Sequence, residues 1–353
     1  MFDVKRWVAV LMVLVLSTGL AGLGVAQDDA EEGPQLGVWQ KEIDASLNIL
    51  QSAYSNNWNG GDKGSAVWNG QFSARLEKQY TETTNWRNIL KLAYGQTHSQ
   101  ERGENGELHW QKPDKTDDII DLESMFRWTL GKRWDPYVSF RFQSMFEDLS
   151  DMQERALTFN PLKFKEAVGI SRTFVKEENR WFMTRVGVAL IQNSRKYYLD
   201  ETFEAEIGRE ATYEAAAEWI TEYRVGALDD RVDWESKLSF IMPFVYSGKS
   251  TFEDGFIVKD PDGNIIDNPF PEDIAGYSTT IDVDFENTFT ANITKVISVK
   301  LYVRWVYDKY DNTVGPVVGA DNVLINTDAV HQAIRKAGQF KQTLALGFGY
   351  KWN

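Results

Sequence analysis

The sequence predicts an all-β fold: a transmembrane antiparallel up-and-down β-barrel of about 12 strands, with short periplasmic turns and long extracellular loops. Three observations predict it. The chain opens on an export-type segment. The remainder holds twelve stretches of alternating apolar and polar residues, each reaching the roughly 9–11 residues that a tilted strand needs to cross a bilayer. The connections between them are brief and long by turns, as in bacterial outer-membrane barrels.

The export segment comes first. Lys5 and Arg6 form a basic start, Val8 to Leu23 is an almost unbroken apolar run, and Gly24-Val25-Ala26 supplies the small residues that a signal peptidase reads. Residues 1–26 are therefore expected to be a cleaved signal peptide, 27–38 a short acidic periplasmic tail, and 39–353 the barrel. No later apolar run approaches the roughly 20 residues of a spanning helix.

Composition narrows the partners. The formal charge is −14, and loss of Asp3, Lys5 and Arg6 with the signal, a net +1, leaves −15. No nucleic acid is expected as a partner of so acidic a chain. With no cysteine and three histidines, no disulfide framework, structural metal or other cofactor is expected. The 13 Trp, 14 Tyr and 20 Phe suit a barrel ringed by aromatic side chains at both interfaces. Membrane lipid is the expected partner, together with the barrel-assembly machinery during biogenesis.

The twelve expected strands are 42–54, 66–80, 86–96, 119–130, 136–147, 162–175, 180–191, 213–224, 234–246, 280–294, 298–308 and 340–352. The last has the cleanest period: Phe340, Leu344, Leu346, Phe348, Tyr350 and Trp352 oppose Lys341, Thr343, Ala345, Gly347, Gly349 and Lys351. In 234–246, Trp234, Leu238, Phe240, Met242, Phe244 and Tyr246 form one face. Segment 162–175 has the poorest period, because Glu166 and Arg172 fall on its apolar face. Links 81–85, 131–136, 176–180, 227–233 and 294–297 are expected in the periplasm. Links 56–64, 96–118, 147–161, 192–212, 248–278 and 312–338 are expected outside. A soluble sandwich gives no reason for this odd–even pattern. An even strand number lets both ends of a closed barrel lie on one side, and closure removes the edges that lipid would not tolerate.

The apolar faces are expected to meet lipid, with Trp86, Trp128, Trp219, Trp234, Tyr310 and Trp352 near the interfaces. The polar faces are expected to line a lumen through Arg75, Arg87, Arg127, Arg141, Arg185, Glu214, Glu218, Glu222, Glu235, Asp282, Asp284, Glu286, Lys300 and Arg304, with Asp44, Lys91, Glu123, Arg224, Lys237 and Lys341 beside them. Such a lumen is either filled by ion pairs or a narrow polar path. In the second case Glu214, Glu218 and Glu222 with Asp282, Asp284 and Glu286 would make one side acidic and favour cations.

No catalytic constellation emerges. His98, His109 and His331 fall in expected loops, and no Gly-x-Ser-x-Gly occurs. Asp260 to Asp267 resembles part of a calcium loop, but its glycine comes two places early for an EF-hand, and a tight Asp-Gly turn explains it.

Residues 50–150 carry a family resemblance. Asn57-Trp58-Asn59-Gly60-Gly61, then Trp86-x-Asn88-x-Leu90-x-Leu92-x-Tyr94-Gly95, then Lys115-Thr116-Asp117-Asp118 resemble an uncharacterised family of exported outer-membrane β-barrel proteins, a domain of unknown function. The likeness continues through Trp134, Tyr137 and Gln143. The Trp–Gly motif is one residue shorter here, and the chain ends Trp352-Asn353 rather than on the ring that the assembly machinery reads in many barrels. The resemblance implies fold and location and brings no catalytic residues. Asn88, polar on an apolar face, marks either the interface or a bulge.

The expected role is that of a non-enzymatic barrel, a narrow channel or transporter for small solutes. The rival is a closed structural or adhesive barrel acting through its extracellular loops, and an outer-membrane hydrolase is the weakest of the three.

Overall fold

A computed structural model of the chain describes residues 36–352 apart from 53–62, 106, 132–133, 152, 154, 178, 199–205, 229–230, 261–262, 295, 320 and 336, with the backbone alone at 349–352. The expected signal segment, most of the acidic tail, Asn57, Trp58, Gly60 and Gly61, and the side chain of Trp352 lie outside the described residues, as does part of the Asp260–Asp267 turn.

All twelve expected strands are present: β1 (Trp39–Ser52), β2 (Ser65–Thr81), β3 (Thr84–Arg102), β4 (Asp114–Trp128), β5 (Asp135–Ser144), β6 (Leu162–Lys176), β7 (Arg180–Tyr198), β8 (Ile207–Ala227), β9 (Val232–Tyr246), β10 (Asp282–Asn292), β11 (Ile297–Tyr307) and β12 (Gln339–Trp352). Each pairs antiparallel with its neighbours in sequence. The first and last strands close the barrel over six register pairs, Ile43↔Trp352 to Asn48↔Gly347. The period-2 pattern that makes these strands also fixes which face is which, since a one-residue slip would turn every apolar side chain inward.

The outer face is that of a membrane barrel. Phe340, Leu344, Leu346 and Phe348 of β12 are 62–69% exposed, and Val168, Val188, Leu190, Trp219 and Phe244 elsewhere on the wall are more than half exposed. A soluble protein does not present such a belt. Near the periplasmic ends the rings touch one another. Trp39, Tyr80 and Trp86 form one group. Phe174, Phe182, Tyr223, Trp234 and Phe289 form a chain across five strands. Lys78 lays its ammonium over Tyr80 at 4.7 Å, and Arg172 covers Phe174 at 4.6 Å, so a charge beside the belt is held by a ring face. This is how β6 keeps Arg172 on its outward side.

The periplasmic turns are short and the outer loops are structured. Glu82–Thr83 joins β2 to β3, and Glu177–Asn179, closed by an Arg180–Glu177 ion pair of 2.7 Å, joins β6 to β7. Outside, β3 extends to Arg102 and so takes in His98, which the sequence placed in a loop. The 145–161 loop contains a two-residue hairpin, Glu147–Asp148 with Leu157–Thr158.

The two longest loops fold together into a cap. Helices α1 (Lys249–Asp254), α2 (Ile274–Tyr277) and α3 (Thr327–Ala333) pack Phe252, Ile274, Val330 and Ala333, with Phe270 from the loop before α2, around Tyr246, Val258, Tyr310, Val314 and Leu324. Burying each of these larger apolar side chains contributes about 1.5–3 kcal/mol before ordering entropy is subtracted, enough to make the loops a defined body.

Three expectations for individual residues change. Tyr246 does not face lipid: the register between β8 and β9 shifts between Ala215 and Ala216, so that Ala215 faces Val245 while Ala216 faces Pro243. This bulge leaves Phe244 and Val245 exposed side by side and turns Tyr246 into the cap, where its hydroxyl donates to the Val314 carbonyl at 2.8 Å. Tyr310 is not an interface ring either; it is 1% exposed in the same cap core, because the chain leaves β11 and turns inward. The register runs unbroken through Asn88, opposite Leu76 and Ser124, so no bulge lies there; bulges fall between Gln79 and Thr81 and between Gly95 and Gln96.

Candidate functional site: the barrel interior and its outer rim

The barrel interior is crossed by ion pairs between distant strands. Arg87 on β3 makes a two-pronged contact with Glu222 on β8, at 2.9 and 3.2 Å. Lys237 on β9 reaches Glu123 on β4 at 3.3 Å, and Lys91 on β3 reaches Glu286 on β10 at 3.8 Å. Arg224 on β8 reaches Glu42 on β1 at 3.0 Å, and Arg75 meets the same carboxylate at 3.0 Å. The members of each of the first three pairs, and of Arg224–Glu42, stand on strands five places apart in the twelve-strand order, so the side chains meet only by crossing the interior.

The centre is the most deeply buried part. Arg185, 1% exposed, donates to Glu123 at 2.6 Å. Glu218, fully buried, accepts from Lys165 at 2.6 Å and from the Tyr137 hydroxyl at 2.8 Å. The sulfurs of Met125 and Met183 take a further contact each from Arg185 and Arg127. A lone charge at this depth would cost several kcal/mol, and the paired geometry offsets that penalty. Beside the centre, Arg141 clamps Asp121 at 2.9 and 2.5 Å, and Arg304 clamps Asp284 at 2.9 Å through each of two nitrogens. Between Arg75, Lys91, Asp121, Glu222, Glu235 and Glu286 lies a polar cavity of about 60 Å³, room for a few waters.

Register explains how Tyr137 reaches Glu218. Tyr137, Gly169, Gly187 and Glu218 lie in one row across β5, β6, β7 and β8. A Cβ on Gly187 would stand 2.7 Å from the Tyr137 hydroxyl, and one on Gly169 would stand 2.1 Å from the Val186 carbonyl. Gly187 leaves room for the tyrosine hydroxyl, and Gly169 allows the close approach of the neighbouring strand at Val186.

The outer rim has a second network. Asn69 crosses Gly95 to donate to Asp117 at 2.9 Å, and Lys341 from β12 reaches the same carboxylate at 2.9 Å. A Cβ on Gly95 would sit 2.9 Å from the Asn69 amide, which is why glycine occupies that place. Asp118 accepts the backbone N–H groups of Phe146 and Glu147 at 2.6 and 3.0 Å and an ion pair from Lys115 at 3.0 Å. Tyr94 donates to Glu147 at 2.8 Å, and Lys115 also donates to the Glu147 carbonyl. Tyr94, Gly95, Asp117 and Asp118 thus fasten the 145–161 loop and the β12 wall to the top of β3 and β4. Trp86 sits at the other end of β3, its indole donating to Ser124 at 2.9 Å.

Among the lumenal positions expected from sequence, Arg75, Arg87, Arg127, Arg141, Arg185, Glu218, Glu222, Glu235, Asp284, Glu286, Lys300 and Arg304 all join interior ion pairs. The acidic side is therefore largely neutralised: Glu218 by Lys165, Glu222 by Arg87, Asp284 and Glu286 by Arg304. Glu214 and Asp282 sit at the outer end beneath the cap. There Asp308, just past β11, has its carboxyl pushed up to about 7 by burial and by Asp311. Lys165 and Tyr137 are interior residues that strand alternation did not single out. The signal for Lys165 was present, since it alternates with Glu166, but the irregular face of that segment hid it. None of the three imidazoles bonds to a carboxylate or hydroxyl among the described residues: His109 meets Gln111, and His331 packs on Phe270.

Residues 49–148 match DUF3078, a family described as proteins of unknown function. The DUF3078 segment spans β2 to β5 and includes the whole Tyr94–Gly95–Asp117–Asp118 fastening. No curated protein matches the chain. Similar solved structures include the COG4313 outer membrane channel from Pseudomonas putida F1, at 11% identity, 93% of this chain, 100% of that one and a TM-score of 0.37. The NanC porin follows at 9% identity, with 88% and 100% covered and a TM-score of 0.31. The β domain of the Bordetella autotransporter BrkA has 8% identity, 88% and 98% covered and a TM-score of 0.31. Likenesses this distant transfer no activity to this chain.

Proposed function

We propose that the protein is an outer-membrane barrel that is closed at rest and works through its extracellular cap and loops. The observation that carries this reading is the Arg87–Glu222 crosspiece, which with the Arg185–Glu123 and Lys237–Glu123 pairs crosses the interior at mid-depth beside a polar cavity of about 60 Å³. Barrels of about eight strands are filled by ordinary side chains, whereas those of 16–18 leave an aqueous channel. At twelve strands the long arginines are what fills the difference. Export with removal of residues 1–26, the periplasmic tail 27–38, and contact with lipid and the assembly machinery belong to the same reading. It is supported by the apolar segment at the N-terminus and the exposed apolar belt.

A gated conduit for small solutes is the second reading. It is favoured by the fact that, among the described residues, side chains and loops supply the obstructions. Planar-bilayer recording of the refolded mature chain in KCl separates the two. Silence at moderate voltage is expected; discrete steps from the unaltered protein would overturn the closed reading and make the conduit the function.

A further inference from the structure

Besides the Tyr246–Val314 and Asn326–Glu210 hydrogen bonds, a buried polar node joins the cap to the barrel wall. Glu214 on β8 is 4% exposed and pairs with no lysine or arginine among the described residues. Its two carboxylate oxygens accept from the side-chain amides of Asn193 on β7, at 3.1 Å, and Asn312 in the cap, at 2.9 Å. Asn193 and Asn312 are 2% and 8% exposed, and the side-chain oxygen of each has no hydrogen-bond partner. The Thr212 hydroxyl, 2% exposed, and the backbone carbonyls of Asn312 and Ser278 complete the node: Thr212 donates to the Asn312 carbonyl at 2.6 Å, and the Asn312 amide donates to that of Ser278 at 2.9 Å.

Two features of this node are unusual. A buried carboxylate here faces only neutral amides, where charge compensation is the rule. Two buried amide oxygens are left without donors, which costs stability unless a ligand meets them. A half-turn of each amide about its terminal bond exchanges nitrogen and oxygen. The two orphan oxygens would then face Glu214, an arrangement stable only with a cation between them. Glu214, Asn193, Asn312, Thr212 and the Ser278 carbonyl would together present five or more oxygens, within the range that calcium takes. Asp282 interacts with Glu214, Asp308 and Asp311, of which Asp311 is already paired with Arg335 at 3.0 Å while Lys163 opposes the others.

We propose that this node is a calcium site that ties the cap, through Asn312 and Ser278, to the inner wall of β7 and β8. Neutral oxygens and one carboxylate make it a weak site, suited to the free calcium outside a cell, with a Kd of about 10⁻⁴–10⁻³ M as in extracellular modules. The site would stand whether or not the barrel conducts.

Calorimetric titration of the EDTA-treated, refolded mature chain with CaCl₂ tests it. One ion per chain is expected, with Glu214→Gln weakening it at least tenfold and Asn193→Asp tightening it by adding a ligand charge. Calcium should also slow protease cleavage in the 308–338 segment of the unaltered protein several-fold, and not that of Glu214→Gln. Heat-modifiable gel migration verifies that each variant is folded; if Glu214→Gln fails to fold, Asn193→Asp alone decides. No calcium heat, or an affinity that neither substitution moves, overturns the proposal and leaves buried water as the partner of the two amide oxygens.

Discussion

Arg185 lies 1% exposed at the centre of the barrel, between Glu123 at 2.6 Å and Glu218 at 4.0 Å. Its removal leaves Glu123 with Lys237 at 3.3 Å and Glu218 with Lys165 at 2.6 Å, each carboxylate short of the arginine that completes its pairing. Arg185→Met is expected to lower the stability of the refolded barrel by about 3–5 kcal/mol, the usual loss when one member of a buried pair is deleted. The double variant Arg185→Met/Glu123→Gln should recover part of this, because it removes the uncompensated charge along with the arginine. Guanidinium unfolding in lipid vesicles measures both, and a double variant less stable than the single one would show that the pair is not an electrostatic unit. That Arg185, Glu123 and Glu218 face inward was legible from strand alternation alone. Their pairing was not, since it depends on which walls closure brings opposite each other. Lys165 went unnoticed for a simpler reason: Glu166 and Arg172 break the pattern of β6, and the ring of Phe174 that shelters Arg172 becomes visible only when side chains are placed.

Among the elements, strands were legible and loops were not, and the difference is physical. A membrane strand must repeat every second residue because lipid and lumen lie on opposite faces. A loop has no such period, so the helices and the apolar core of the cap left no trace beyond a high count of Phe, Ile and Val. At the junction the code failed locally: one bulge at the end of β9 turned Tyr246 from lipid to cap. The cap also carries a titratable element. Asp308 is held at about 7 by burial and by Asp311, while Lys163, the Tyr310 N–H and Arg335 oppose the shift; Asp282 faces it from β10. A carboxyl raised above its usual value of about 3.9 stabilises the fold fully at low pH, and that stabilisation is lost as pH rises through about 7. In EDTA, the 308–338 segment is expected to be cut more slowly at pH 5.5 than at pH 8.5 while the barrel stays folded. Asp308→Asn should flatten most of that dependence, and an undiminished response in the variant would assign it to another group.

For the molecule as a whole, the closed reading places two obstructions in series along the interior. At mid-depth the crosspieces Arg87–Glu222 and Lys91–Glu286 span the interior. At the outer end the 308–338 loop leaves β11 and turns inward until Asn312 touches Asn193, Thr212 and Glu214 on β7 and β8, strands three and four places away from β11 around the barrel. Closures in series act as resistances in series, so removing either one leaves the other in control. A barrel with Arg87, Glu222, Lys91 and Glu286 all changed to serine keeps charge balance and should still be silent in a bilayer. Replacement of 312–336 by a short Gly/Ser linker should be silent as well, because the crosspieces remain. The two changes together are expected to give steady ohmic conductance, with both parents verified as folded by heat-modifiable migration. Conductance from the serine variant alone would show that the cap does not seal the mouth. Silence from the combined variant would mean that the remaining interior pairs, Arg185 with Glu123 and Lys165 with Glu218, fill the bore by themselves, and the protein would then have no aqueous path that its loops could govern.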